Sequence, residues 1–224
     1  MREQDIQSMR DVRLSLGGTV VSGLLKTILW LVFAAMISVV IELILMTFVW
    51  PELGVRHSAT MLQQERVYLA KAADAVPLFK SHEAVLRSSS AWTERGIYWT
   101  GLAFLGQWQL GAATEYVSAA INTLGVFIHR VFVLLLATPA FFIFGAVGLV
   151  RGLVARELRK WCGGRETSGT YHLALRALPD VTLGLWVIYL AMPVSINPFF
   201  IVGPVVVLFA FVLQQLAYRF KKYV

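Results

Sequence analysis

One cysteine, Cys162, occurs in 224 residues, so no intrachain disulfide can form and disulfide-stapled scaffolds are excluded. Charge is equally scarce. Asp, Glu, Lys and Arg make up 15% of the chain, against about 25% in soluble domains. Metal-ligand pairs are missing: His57, His82, His129 and His172 stand apart from one another and from Cys162. There is no Ser-His-Asp set, no paired carboxylates and no HExxH in the apolar segments. The glycine-rich stretch Gly163-Gly164-Arg165-Glu166-Thr167-Ser168-Gly169 lacks the Gly-Lys-Ser/Thr ending and the strand–helix setting of a phosphate loop. It reads as a turn between short helices. No enzymatic activity, metal or cofactor is expected.

What the chain has is apolar surface. Hydrophobic residues are 58% of it and its mean hydropathy is +0.68. A soluble fold of this size could not bury so much, so the expected class is an all-α integral membrane protein. A bilayer core of about 30 Å takes roughly 20 apolar residues in a helix. Residues 27–50 form the first candidate span, closed by Trp50-Pro51 at the membrane surface. A cleaved signal peptide fits worse: the run is too long and no small-x-small site follows it. Residues 130–150 form the second span, with Pro139 inside it and Gly145 and Gly148 offering a face for close helix packing. Tyr116 to Ile128 reads either as an extension of that helix or as a separate interfacial one, with His129 and Arg130 at the boundary.

Two further runs, 181–194 and 199–217, flank Pro193-Val194-Ser195-Ile196-Asn197-Pro198, a tight turn. They are read as the third and fourth spans, with re-entry from one side as the alternative. The charges set the orientation. With the N-terminus inside, residues 1–26, 151–180 and 218–224 carry thirteen basic and six acidic residues, whereas 51–129 carries six of each. This is the positive-inside pattern, and it accounts for the net charge of +7 more simply than nucleic-acid binding. The expectation is four transmembrane helices, N-in and C-in, with a helical extracytoplasmic segment between the first two and a short outer turn at 195–198.

In that outer segment Ser58 is placed to cap a helix from Ala59 to about Val76, with Leu62, Leu69, Ala72, Ala73 and Val76 on one face. Pro77 should stop it, and Ser88-Ser89-Ser90 reads as a loop. Trp92, Tyr98, Trp99, Phe104 and Trp108 crowd together and suit a membrane interface or a partner contact. Glu42 is the one charge inside the first span. A carboxylate there is a candidate assembly or proton site. No second acid stands inside a span to form a relay, which weighs against a pump. Arg151, Arg156, Arg159, Lys160, Arg165 and Arg176 form a candidate cytoplasmic basic face, suited first to anionic lipid headgroups and topology and second to DNA.

Two stretches carry a family resemblance: ELILMTFVWPELGVRHS over 42–58, and RKWCGGRETSGTYHLALRALPD with YLAMPVSINPFF over 159–200. The chain end, FKKYV, fits as well. Together they resemble the integrating conjugative element membrane protein family, a domain family of mobile-element transfer regions. The resemblance implies a bacterial inner-membrane protein encoded near the coupling ATPase that feeds DNA to a type IV secretion channel. It implies no catalytic or binding residues. The function expected is a structural or accessory subunit of the transfer apparatus, with the coupling ATPase as partner. A small transporter or channel using Glu42 and a surface-exclusion factor are the alternatives.

Overall fold

The computed structural model describes residues 2–76, 82–107, 111–162 and 184–219. These form helices α1 (Arg2–Phe48), α2 (Val55–Asp74), α3 (His82–Trp99), α4 (Leu102–Gln107), α5 (Ala112–Trp161), α6 (Leu185–Ala191) and α7 (Pro198–Arg219), with no strand among the described residues. Helix α5 is the axis. It has 50 residues, which at about 1.5 Å per residue is roughly 75 Å, more than twice a bilayer core. Tyr116 to Ile128 is therefore an extension of the second span. The helix continues through Pro139.

Every other helix packs along α5 or beside a helix that does. Helix α1 runs antiparallel to it. Thr47 Oγ1 lies 3.4 Å from Tyr116 Oη at one end, and Ala34 shares a buried cluster with Phe127 and Leu134 further along. After α1 the chain reverses within six residues. The backbone N–H groups of Leu53 and Gly54 donate to the Trp50 carbonyl, and Gly54 takes a φ of 48°, a conformation that favours glycine. Helix α2 then runs parallel to α5. Its buried residues Ser58, Met61, Glu65, Leu69 and Ala73 recur at three- and four-residue spacing, one face of a helix. Helix α3 returns antiparallel, and Leu69, Ala73 and Val85 form a cluster with Val133 and Leu136.

Two local expectations change here. Ser58 is not an N-cap: α2 begins three residues earlier, and Ser58 is buried inside the first turns, donating to the Val55 carbonyl at 3.0 Å. The serine run is helix rather than loop. Ser88, Ser89 and Ser90 each donate to a carbonyl three or four residues back, so their hydroxyls are satisfied within α3 instead of drawing the backbone into a turn.

At the other end of α5 the small residues act as expected. Helix α7 runs parallel to α5, and Gly145 faces Phe209 and Leu213. A methyl on Gly148 would collide with the Ala210 carbonyl, and one on Gly152 would meet the Gln214 carbonyl oxygen at 2.5 Å. Only glycine lets the two backbones approach this closely. The turn expected at Pro193–Pro198 is present. Helix α6 ends at Ala191, Met192 is extended, and Asn197 Oδ1 accepts from Phe199 N at 3.1 Å, capping α7.

Among the described residues, three helices are long and apolar enough to cross a membrane: α1 over Val21–Phe48, α5 over Ala113–Arg159, and α7. Among the described residues of the expected third span, 181–194, the helix is the seven-residue α6. A methyl at the α5–α7 seam has a direct consequence. Gly148→Ala is expected to destabilise the protein by about 1–3 kcal/mol through overpacking, read as a loss of thermal stability in detergent. Gly23→Ala, which meets nothing within 4 Å, should lack that overpacking penalty.

Candidate functional site

Glu65, Arg130 and Ser195 come from three separate parts of the chain and meet in the interior. Arg130 is fully buried and so is Glu65. Arg130 Nε donates to Glu65 Oε1 at 2.9 Å. Its Nη1 donates to the carbonyls of Tyr189 at 3.1 Å and Met192 at 2.6 Å, and its Nη2 to that of Val194 at 2.8 Å. Ser195 Oγ donates to the same Glu65 oxygen at 3.0 Å. The guanidinium thus satisfies one carbonyl of the last turn of α6, where a positive charge is favoured, together with the Met192 and Val194 carbonyls of the turn that follows. It also sits 5.4 Å from the Tyr189 ring centre. Its planar fork of donors suits several acceptors at once, which a lysine could not match. Next to it, His129 Nδ1 lies 2.6 Å from the Gly125 carbonyl and Nε2 lies 3.5 Å from Ser89 Oγ on α3. Asn122 Nδ2 donates to Ser58 Oγ at 3.2 Å.

Glu42 has a similar arrangement on α1. It is buried at 2% exposure, and its Oε1 lies 2.9 Å from His57 Nδ1 in the first turn of α2. The His57 ring stacks on Trp50, with centres 4.2 Å apart. The turn at residues 50–54 brings His57 back over Glu42. One carboxylate oxygen of each acid, Glu42 Oε2 and Glu65 Oε2, is buried without a hydrogen-bond partner among the described residues.

The other expected sites lie at the surface. Trp92 is exposed beneath the Arg95 guanidinium, 5.4 Å from its ring centre. Tyr98 and Trp99 are each 76% exposed and Phe104 is 61% exposed. Trp108 lies outside the described residues. On the opposite side, Arg151 is exposed, Arg156 and Arg159 are half-buried, and Lys160 lies in the last turn of α5. The Arg159 guanidinium lies 4.5 Å from the Tyr218 ring centre. Arg165, Arg176 and the glycine-rich stretch lie outside the described residues. Among the described residues no three His, Cys, Asp or Glu side chains gather as metal ligands.

Sequence reasoning found Glu42 but missed its partner, and it missed the Glu65–Arg130 pair. Two signals were available. Glu65 falls on the 58-61-65-69 spacing of an otherwise uncharged buried stripe, and Arg130 is the one cation between Tyr116 and Val150. A buried acid on one helix and a buried base on another are each other's natural partners.

Removing one member of this pair strands the other. Glu65→Ala or Arg130→Ala is expected to cost about 3–5 kcal/mol. The Glu65→Leu, Arg130→Met double variant should recover part of that loss in a denaturation-based double-mutant cycle. A double variant as unstable as the sum of the singles would show that the two side chains act independently.

No curated protein and no solved structure matches the chain. Residues 49–221 match the family model described as IncC plasmid conjugative DNA transfer protein DtrJ-like. That match takes in α2 to α7 together with both partners of the buried pair. It covers well over half of the sequence, and the chain belongs to this DtrJ-like family of conjugative DNA-transfer proteins.

Proposed function

We propose that the protein is a non-enzymatic accessory subunit of the conjugative DNA-transfer apparatus, seated in the bacterial inner membrane and associating with the coupling ATPase of the type IV secretion channel. The observation that carries this reading is the use the chain makes of its buried charges. Glu65 and Arg130 close on each other and on the α6–α7 turn, and Glu42 closes on His57. These side chains fix the relative positions of helices. A transporter built on Glu42 would need that carboxylate to exchange partners during a cycle, and a side chain fastened to His57, whose ring stacks on Trp50, suits assembly better. Family membership supplies the context of DNA transfer. The basic side chains Arg151, Arg156 and Arg159, at the end of α5 away from the outer segment, suit anionic lipid headgroups.

The exposed rings of Tyr98, Trp99 and Phe104 favour one second reading, a surface-exclusion factor that meets an incoming partner through its outer segment. Mild-detergent purification of the tagged protein from cells carrying its native element separates the two readings. The accessory reading expects the coupling ATPase or other secretion subunits to co-purify. Recovery of the protein alone, with exclusion abolished by Trp99→Ala and transfer intact, would replace it.

Glu42 offers a sharper comparison. Glu42→Gln keeps a hydrogen-bonding partner for His57, whereas Glu42→Leu leaves that half-buried ring without one, at a cost of about 1 kcal/mol. Mating frequency is expected to survive Gln and to fall with Leu in step with protein level. Loss of transfer in a Gln variant that still assembles would make titration of Glu42 essential and favour a transporter.

A further inference from the structure

Pro139 interrupts α5 and Pro204 interrupts α7. Neither supplies a backbone N–H, so the Leu135 and Phe200 carbonyls lose their helical partners four residues on. Thr138 loosens α5 further: its Oγ1 donates back to the Leu134 carbonyl at 3.3 Å, and such bonds bend helices. The two prolines also stand level. Helix α7 runs parallel to α5 at a steady offset, because Gly145 faces Phe209, 64 positions on, and Gly148 faces Ala210, 62 positions on. Pro204 comes 65 positions after Pro139, so the two interruptions lie within about one turn, roughly 5 Å, of each other. Staggered prolines would each be splinted by an unbroken neighbour, and level ones are not.

On the side of this level towards the start of α5, the upper side, polar bonds tie the helices together. Arg130 joins Glu65 on α2 to the turn after α6, and Leu69, Ala73 and Val85 close on Val133 and Leu136. On the lower side α5 and α7 are locked by their close approach at Gly145, Gly148 and Gly152. Helix α1 packs Leu31, Ala34 and Ala35 on the upper cluster. Its residues 21–23 and 25–30 are exposed, so the stretch before Leu31 does not splint the level. Across the level, Trp186 of α6 lies edge-on to Phe141, with ring centres 5.7 Å apart. The buried Trp186 Nε1 has no hydrogen-bond partner among the described residues, so this contact can shift without breaking a hydrogen bond.

We propose that this level is a hinge, about which α2, α3, α6 and the upper lengths of α5 and α7 tilt as one unit against the glycine-locked lower pair. A hinge needs only a few backbone positions that absorb the change of angle. A bend at the two prolines costs little, because the helical hydrogen bonds that it would stretch are already missing. A partner gripping one unit can thereby change the angle without opening the glycine seam or the Glu65–Arg130 pair. The inference rests neither on the role in DNA transfer nor on where the bilayer lies along α5.

Paired spin labels test it in nanodiscs, on a Cys162→Ser background. Arg87→Cys on α3 and Val154→Cys on α5, both at exposed positions, straddle the level. Arg87→Cys and Val40→Cys lie within the upper unit, since Glu42 and His57 tie that length of α1 to α2. Double electron–electron resonance is expected to give a broader distance distribution for the straddling pair than for the pair within the unit. Pro139→Ala combined with Pro204→Ala should narrow the first distribution to the width of the second and leave the second unchanged. Equal widths in the protein with both prolines overturn the proposal, whether or not the double variant folds. A straddling distribution that stays as broad in the folded double variant overturns it as well.

Discussion

The Arg130 guanidinium is the junction on which the rest of the structure depends. It is buried in the middle of the longest helix and holds two separate hairpins at once, α2–α3 through Glu65 and α6–α7 through three backbone carbonyls. A buried cation is tolerated only when its donors are matched, and here four bonds match them. Helix α6 is seven residues long and buries Tyr189 and Leu190 beside Phe127 and Leu134. Arg130 ties its Tyr189 carbonyl and the Met192 and Val194 carbonyls beyond it to the core, and Ser195 adds a bond to Glu65. Specificity of arrangement, rather than net stabilisation, is what such a pair offers.

The same logic divides α5 into two working lengths. Its N-terminal length carries polar bonds and the charged hairpin. Its C-terminal length carries glycines and a bare apolar surface against α7. Where water is absent, close van der Waals contact between backbones replaces hydrophobic burial as the packing force. Glu42 and His57 join α1 to the start of α2, and the exposed pair Asp74–His82 joins α2 to α3. These acid–imidazole pairs and the Glu65–Arg130 ion pair tie together the helices around the N-terminal half of α5.

Much of this was legible in the sequence. The apolar runs, the Gly145 and Gly148 seam, the Pro193–Pro198 turn and the isolated Glu42 could be read directly, because each depends on residues close in sequence or on composition. Glu65 and Arg130 could not, because they are 65 positions apart and each looks ordinary by itself: one acid in a polar segment, one base at an apparent membrane boundary. His57 had no partner within ligand spacing in the sequence, and it is the Gly54 turn that places it over Glu42. The serine run misled for a chemical reason. Serines signal loops when their hydroxyls compete for the backbone, and in α3 the hydroxyls bond backward within the helix.

The most direct measurement is amide hydrogen exchange in nanodiscs, comparing the native chain with Arg130→Met. Methionine approximates the length and volume of arginine but donates no hydrogen bond. If Arg130 joins the two hairpins, exchange should rise across α6 and the 192–197 turn, while the Gly145–Gly152 length of α5 and its neighbours on α7 stay protected. Unchanged protection of α6 in a folded Arg130→Met protein would contradict the account and show that the C-terminal hairpin holds its place without the buried cation.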